Sequence, residues 1–197
     1  MVSLGLVTLA TLLVGVPLGL RYNDTEMTDE DVQKTARLLR QLAPGFLPYP
    51  IFEQVARLVA LPIVEFIPLR RSVTGDVEVL LIERGNDDPL WPGTLHTPGT
   101  VVRATDVHKG RQDGWAVFAR ILHDELHDTP VGEPHYVGSM FHDSRRGAEQ
   151  AQLYWVEVKG EPRVGEFYNA ESLPETLMAS QVDFIRQAVE DFKRHVL

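Results

Sequence analysis

Trp91-Pro92-Gly93-Thr94-Leu95-His96-Thr97-Pro98-Gly99-Thr100 passes through Val101-Val102 toward a run, Gln112 to His127, that carries Arg120 and then Asp124-Glu125. Proline and glycine punctuate the first part, which reads as a loop from Asn86 to Thr100. In the second part Trp115, Phe118, Leu122 and Leu126 recur at helical spacing and predict one apolar face. A glycine-bearing loop that feeds a helix with clustered acids is the most chemically informative stretch of this chain.

Upstream, Ile63 to Arg70 and Val77 to Arg84 are β-rich runs joined by Ser72-Val73-Thr74-Gly75-Asp76, a predicted hairpin. Pro68 inside the first run predicts an edge position or a bulge. Farther upstream, Thr28-Asp29-Glu30-Asp31 reads as a helix N-cap with acids in the first turn. Val32, Leu39 and Leu42 continue that helix, Ala43-Pro44-Gly45 stops it, and a second short helix is expected over Ile51 to Ala60. Downstream, strands are expected at His135 to Phe141 and Ala151 to Lys159. A closing helix over Glu175 to Val196 has Met178, Val182, Ile185, Val189 and Phe192 as its buried stripe. This order predicts an α+β or α/β/α architecture.

The whole chain has 197 residues, 44% of them hydrophobic, with 19 Lys+Arg against 28 Asp+Glu and a formal net charge of −9. That length suits one domain with an appendage. The acidic balance argues against a nucleic-acid backbone as partner. The absence of cysteine excludes disulfides, thiolate catalysis and Cys-ligated zinc. Residues 2–20 carry no charged side chain and would reach about 28 Å as a helix, close to a bilayer's apolar thickness. Two readings of residues 1–26 stand: a dispensable leader, or an anchor that leaves the domain on the cytoplasmic side. Cytoplasmic location is the expectation either way.

The loop and helix resemble the Nudix hydrolase family, whose box is a glycine-led loop followed by a helix with an Arg-Glu-x-x-Glu-Glu core. The resemblance runs from about Ile63 to the C-terminus. It divides the chain into the leader (1–26), an N-terminal helical extension (27–62) and a Nudix-like domain (63–197). It implies an α/β/α sandwich with a mixed sheet that hydrolyses a nucleoside diphosphate linked to another group, with Mg²⁺ or Mn²⁺ as cofactor and a homodimer as one assembly. Hard cations take oxygen ligands, and residues at i, i+3 and i+4 of a helix share the face that supplies them.

Carried over residue by residue, the box is degenerate. Pro98 and Gly99 match, Thr100 stands at a glycine position, and Asp106 falls at the loop glutamate. Arg120 matches, Ile121 replaces the first core glutamate, Asp124 and Glu125 match the final acidic pair, and His127 replaces the closing glycine. The resemblance therefore implies Asp124 and Glu125 as metal ligands, with Asp106 as a third ligand or a base. Arg120 would orient the acids, while Pro98, Gly99, Thr100 and Arg103 would shape the substrate side. The run Ala116-Val117-Phe118-Ala119-Arg120 with Glu125-Leu126 is similar to the GDP-mannose mannosyl hydrolase branch, which also lacks some box acids.

Other readings compete. A Nudix-fold domain that binds ligand without turnover is the first. A zinc hydrolase is the second, because His123 and His127 at i and i+4 have the spacing of a His-Glu-x-x-His site. Lys109 and Arg111 are candidate phosphate contacts. Arg145 and Arg146 read as a solvated turn, and His96 as an exposed loop histidine.

Overall fold

Strand β1, Leu61–Arg71, is buried along nearly its whole length, and its side chains alternate between two cores. Leu61, Ile63, Ile67 and Leu69 enter one core; Val64 and Phe66 enter the other. The computed structural model describes residues 27–107 and 114–196. The expectations for the leader, for Lys109 and Arg111, and for a helix start at Gln112 fall outside the described residues.

The chain divides into two units, the first ending at Gln41 and the second spanning Leu42–Leu197. In the first, α1 (Asp29–Leu39) begins as expected: the Thr28 hydroxyl accepts from the Asp31 N–H at 3.2 Å, ahead of three first-turn acids. No residue of α1 is buried, so its apolar stripe of Val32, Leu38 and Leu39 is exposed.

The second unit holds α2 (Tyr49–Leu58), β1, β2 (Val77–Glu83), β3 (Leu95–His96), β4 (Gly99–Val101), α3 (Trp115–Arg120), β5 (His135–Ser144), β6 (Gly147–Glu157), β7 (Glu166–Asn169) and α4 (Gln181–Val196). The sheet order is β3-β2-β1-β6-β5, with β4 also on β1 and β7 on β2. β1 and β6 run parallel and the other pairs antiparallel, so the sheet is mixed. α4 covers one face through Phe184, Ile185, Ala188, Val189 and Phe192. α3 and the turn after it cover the other through Val117, Ile121 and Leu126. The result is the expected α/β/α layering. Helix α2 lies beside β6, with Ala56 in the α4-side core. Among the described residues no helix is long and apolar enough to cross a membrane.

Two local expectations are corrected. Pro68 sits in the central strand, not at an edge or bulge. β1 pairs β4 through Glu65 and takes up β2 from Leu69. Its backbone groups alternate sides: Phe66 N–H donates to the Pro98 carbonyl, and the Leu69 carbonyl accepts from the N–H of Val158, just past β6. The missing N–H of Pro68 is therefore on the side of β4 and β2, at the position just before the pairing with β2 begins at Leu69. The loop expected over Asn86 to Thr100 contains the short strands β3 and β4, whose two and three residues are too few for alternation to reveal.

Candidate functional site

Glu65 interrupts the apolar alternation of β1, and its parity places it on the α4 side, where the first residue of α4 meets it. Its Oε2 accepts from the Thr97 hydroxyl at 3.1 Å and from Gln181 Nε2 at 3.4 Å, while Gln181 Oε1 accepts from Thr97 N–H at 2.8 Å. Burial pushes the Glu65 carboxyl up to about 8, against the pull of the Thr97 hydrogen bond and of Arg146 and Arg84. Gly99 is its β4 partner, and a Cβ there would stand 2.3 Å from Glu65 Oε2. Only glycine fits over this carboxyl.

His96 is buried rather than exposed, because β3 draws it under the sheet end. Its Nδ1–H donates to the Thr97 carbonyl at 2.8 Å, which fixes the tautomer, since a carbonyl cannot donate. Burial, then the positive charge of Arg84, lowers it to about 4.

Arg120 braces the loop. It donates to both Asp106 carboxylate oxygens at 3.1 and 2.6 Å, to the Thr100 hydroxyl at 2.6 Å and to the Val101 carbonyl at 3.0 Å. Asp106 also accepts the Arg103 N–H at 2.7 Å, closing the 3-10 turn Ala104–Asp106. Burial pulls the Asp106 pKa upward, but the hydrogen bonds from Arg120 and Arg103 outweigh it and hold the carboxyl below its ordinary range. The guanidinium is thus engaged by the loop, and Asp106 by the guanidinium. Arg120→Lys keeps the charge but not the planar fork. It is expected to cost about 2 kcal/mol of stability, read as a lower urea midpoint.

Between Ile121 and Glu125 the helix opens into a π turn, closed by Leu126 N–H to the Ile121 carbonyl at 3.1 Å. Ile121 and Leu126, five apart, are both fully buried. In an uninterrupted α-helix the residue four beyond Ile121, Glu125, would share its inward face. The extra residue in the turn puts Leu126 into the core instead, and Asp124 and Glu125 line a cleft. The same shift corrects the expected apolar face: Val117, Ile121 and Leu126 are buried, whereas Trp115 is 48% exposed. His127 lies past the helix end at φ 49°, so His123 and His127 do not share a helical face. Burial raises the Glu125 pKa, Arg84 opposes the shift, and the neighbouring Asp124 charge adds to it.

The cleft, about 900 Å³, lies at the end of the sheet. Gly99, Thr100 and Arg103 line it, as do His96, Glu83, Arg84 and Arg146. Pro98 contributes its carbonyl to β1, and Asp106 is behind the loop with Arg120. Arg84 Nη1 donates to Asp88 at 2.8 Å, while its buried Nε has no hydrogen-bond partner among the described residues. Arg146 Nε donates to the buried Glu149 at 2.7 Å, and Glu149 also accepts from Ser144 at 2.9 Å. His142 Nε2 stands 3.1 Å from Glu149 Oε2, without the alignment of a hydrogen bond. Both guanidiniums approach the Trp91 ring, Arg84 at 5.3 Å and Arg146 at 5.2 Å from its centroid. Arg146 is therefore a cleft residue, not a solvated one; Arg145 donates to the Leu90 carbonyl at 2.6 Å. Sequence reasoning missed Glu65, Arg84, Glu149 and Gln181. A carboxylate inside an otherwise apolar strand was the available signal for the first.

No three His, Asp or Glu side chains converge as a metal cage among the described residues. Asp124 and Glu125 reach the cleft beside the π turn, with His127, Glu83 and Asp88 also on its lining, and Ile121 offers no oxygen. Mg²⁺ is commonly held by one or two carboxylates, with waters and substrate phosphates completing its shell. The pair fits an ion of that kind and not a fully protein-built site.

No family profile matches the sequence, and no curated protein matches it. Solved structures do match. The NUDIX domain of Shewanella oneidensis NrtR, determined with ADP ribose, superposes with a TM-score of 0.53 at 16% identity, covering 84% of this chain and 99% of that one. A C. elegans Ap4A hydrolase gives 0.50 at 13%, covering 68% and 99%. The C-terminal domain of mouse MUTYH, solved with human PCNA, gives 0.51 at 13%, covering 69% and 91%. With its mixed sheet between α4 and the α3 layer, and its glycine loop feeding the acid-bearing turn, this chain has the Nudix fold.

Proposed function

We propose that the cleft binds a nucleoside diphosphate linked to another group and hydrolyses its diphosphate in the presence of Mg²⁺ or Mn²⁺. The observation that carries this reading is the meeting, in one cleft, of the Asp124–Glu125 pair with Arg84 and Arg146. A diphosphate needs both: cations for its oxygens, and carboxylates for the metal that offsets its remaining charge. Arg84, its Nη1 held by Asp88, brings one cation to the cleft for the phosphate oxygens. Arg146, seated on Glu149, presents a second cation whose position is fixed before ligand arrives. Gly99 and Thr100 form the backbone floor, and the Arg120 brace keeps Thr100 in place. Asp124 and Glu125 would hold the metal, which supplies charge neutralisation and an activated water. ADP ribose, the ligand in the NrtR domain structure, and the substrate named for the Ap4A hydrolase belong to this chemical class.

The second reading, binding without turnover, is favoured by the burial of Ile121, which leaves the pair without the first core carboxylate. The test is release of AMP from ADP-ribose by the full chain with Mn²⁺. Glu125→Gln is expected to slow it by roughly 10²-fold or more while leaving ligand binding within a few fold. Binding without AMP release, unchanged in EDTA, would select the second reading.

A further inference from the structure

His142 on β5 stands directly opposite Glu149 on β6 in the antiparallel register. Its ring lies 5.2 Å from the Phe184 ring of α4, centroid to centroid, and neither ring nitrogen has a hydrogen-bond partner among the described residues. A neutral imidazole so placed leaves a buried N–H and a buried lone pair both unmet, which native interiors rarely tolerate without a role for the group. Nε2 is 3.1 Å from Glu149 Oε2, off the line of a hydrogen bond but within ion-pair distance. Protonation would turn that contact into an ion pair, since charge attraction depends on distance rather than alignment.

The other carboxylate oxygen, Glu149 Oε1, accepts from Arg146 Nε at 2.7 Å and from the Ser144 hydroxyl at 2.9 Å. One buried carboxylate therefore joins a cation on the cleft lining to an imidazole outside it. Glu65 of β1 feels the charges of both Glu149 and Arg146. Helix α4 meets His142 with the Phe184 ring, and α2 reaches the turn at Gly147 with the backbone of Ala56 and Arg57. With a neutral ring, Arg146 and Glu149 cancel, and an anion in the cleft meets a compensated cation. With a protonated ring the trio is net positive, and more of the arginine's field reaches the cleft. We propose that His142 is a positioning residue for anion binding, acting through Glu149 to set how much of the Arg146 charge a phosphate meets. The proposal rests on the reading of the cleft as a diphosphate site. It adds that affinity there follows the protonation of a side chain that the ligand does not touch.

Histidines ordinarily change charge between about pH 5 and 8. Between about pH 5.5 and 7, Glu65, near 8, keeps its proton and His96, near 4, stays neutral, so neither masks the effect. The experiment is calorimetry of ADP-ribose binding to the full chain in Mg²⁺ at those two pH values, with wild type and His142→Gln. Each phosphate of ADP-ribose keeps a single negative charge throughout this range, so the probe itself does not titrate. Wild-type affinity is expected to fall about fivefold more than that of His142→Gln as pH rises. Glu125 and the metal act alike in both proteins, and the comparison removes their contribution. By linkage, the His142 ring followed by NMR in the wild type should titrate at higher pH with ADP-ribose bound than without it. That readout needs no variant and stands even where His142→Gln fails to fold. A merely structural His142 would lower the variant's melting temperature and leave its pH dependence equal to wild type. That equality, or a ring titration that ADP-ribose does not move, would overturn the proposal while sparing the diphosphate reading. Absence of ADP-ribose binding at either pH would overturn both.

Discussion

Ile121→Glu is expected to destabilise this domain by at least about 3 kcal/mol and to create no metal site. Family logic suggests the opposite, since glutamate is the residue that the Nudix box would place there. Ile121 is fully buried among Val64, Phe66, Leu80, Val117, Leu126 and Val156. A carboxylate in that core has neither water nor a cationic partner, so it must protonate or unfold its surroundings. A loss of that size is a large share of the 5–15 kcal/mol that ordinary domains possess. Ile121→Val is the control, expected to cost about 1 kcal/mol. Urea denaturation followed by circular dichroism measures both. A folded Ile121→Glu with a gain in Mn²⁺ affinity would mean that this side chain can turn to the cleft, contrary to the π-turn register.

Stability should fall by about 2 kcal/mol between pH 6.5 and 8, and Glu65→Gln should abolish that fall. Glu65 is raised from its ordinary 4.5 to about 8, so between these values the folded chain holds a proton that the unfolded chain releases. Stability attached to it is complete below pH 4.5 and is lost as pH rises to 8. His96 acts oppositely: lowered from 6.5 to about 4, it leaves the unfolded chain binding the extra proton below 6.5, so its contribution rises with pH from 4 to 6.5. Each single-proton difference contributes about 1.4 kcal/mol per pH unit. The two therefore offset between pH 4.5 and 6.5, and Glu65 alone remains above. In Glu65→Gln the profile should instead rise to pH 6.5 and then stay level. Urea midpoints at pH 5, 6.5 and 8 distinguish the two shapes. A wild-type curve level from 6.5 to 8 would mean that Glu65 is ionised within the fold, without the burial that its contacts with Thr97 and Gln181 indicate.

Local signals carried much of the architecture. The Ser72–Asp76 turn between two β-rich runs, the Thr28 cap and the Ile185–Val189–Phe192 stripe each rest on forces that act between neighbours in sequence. So does the loop-to-helix order at Gly99 to Glu125, which led to the Nudix fold. Short strands β3 and β4 were hidden, since two or three residues cannot display a period. Pro68 was misplaced because its tolerance depends on where β4 gives way to β2, a fact about partners rather than about β1.

The site divides the same way. Asp124, Glu125 and Arg120 were legible as residue types at fixed spacing, because a helix turns spacing into direction. Their surroundings were not. The π turn that frees Glu125 arises because Ile121 and Leu126 must both reach the core behind β1. Glu65 meets Gln181 across 116 positions, Arg146 reaches Trp91 from another hairpin, and Phe46 joins the cleft from outside the box. Sequence by itself determined which chemical groups this protein owns and the order of its layers. Tertiary structure alone decided which groups share a cleft and which are buried, because packing and desolvation depend on neighbours that the chain brings together only when folded.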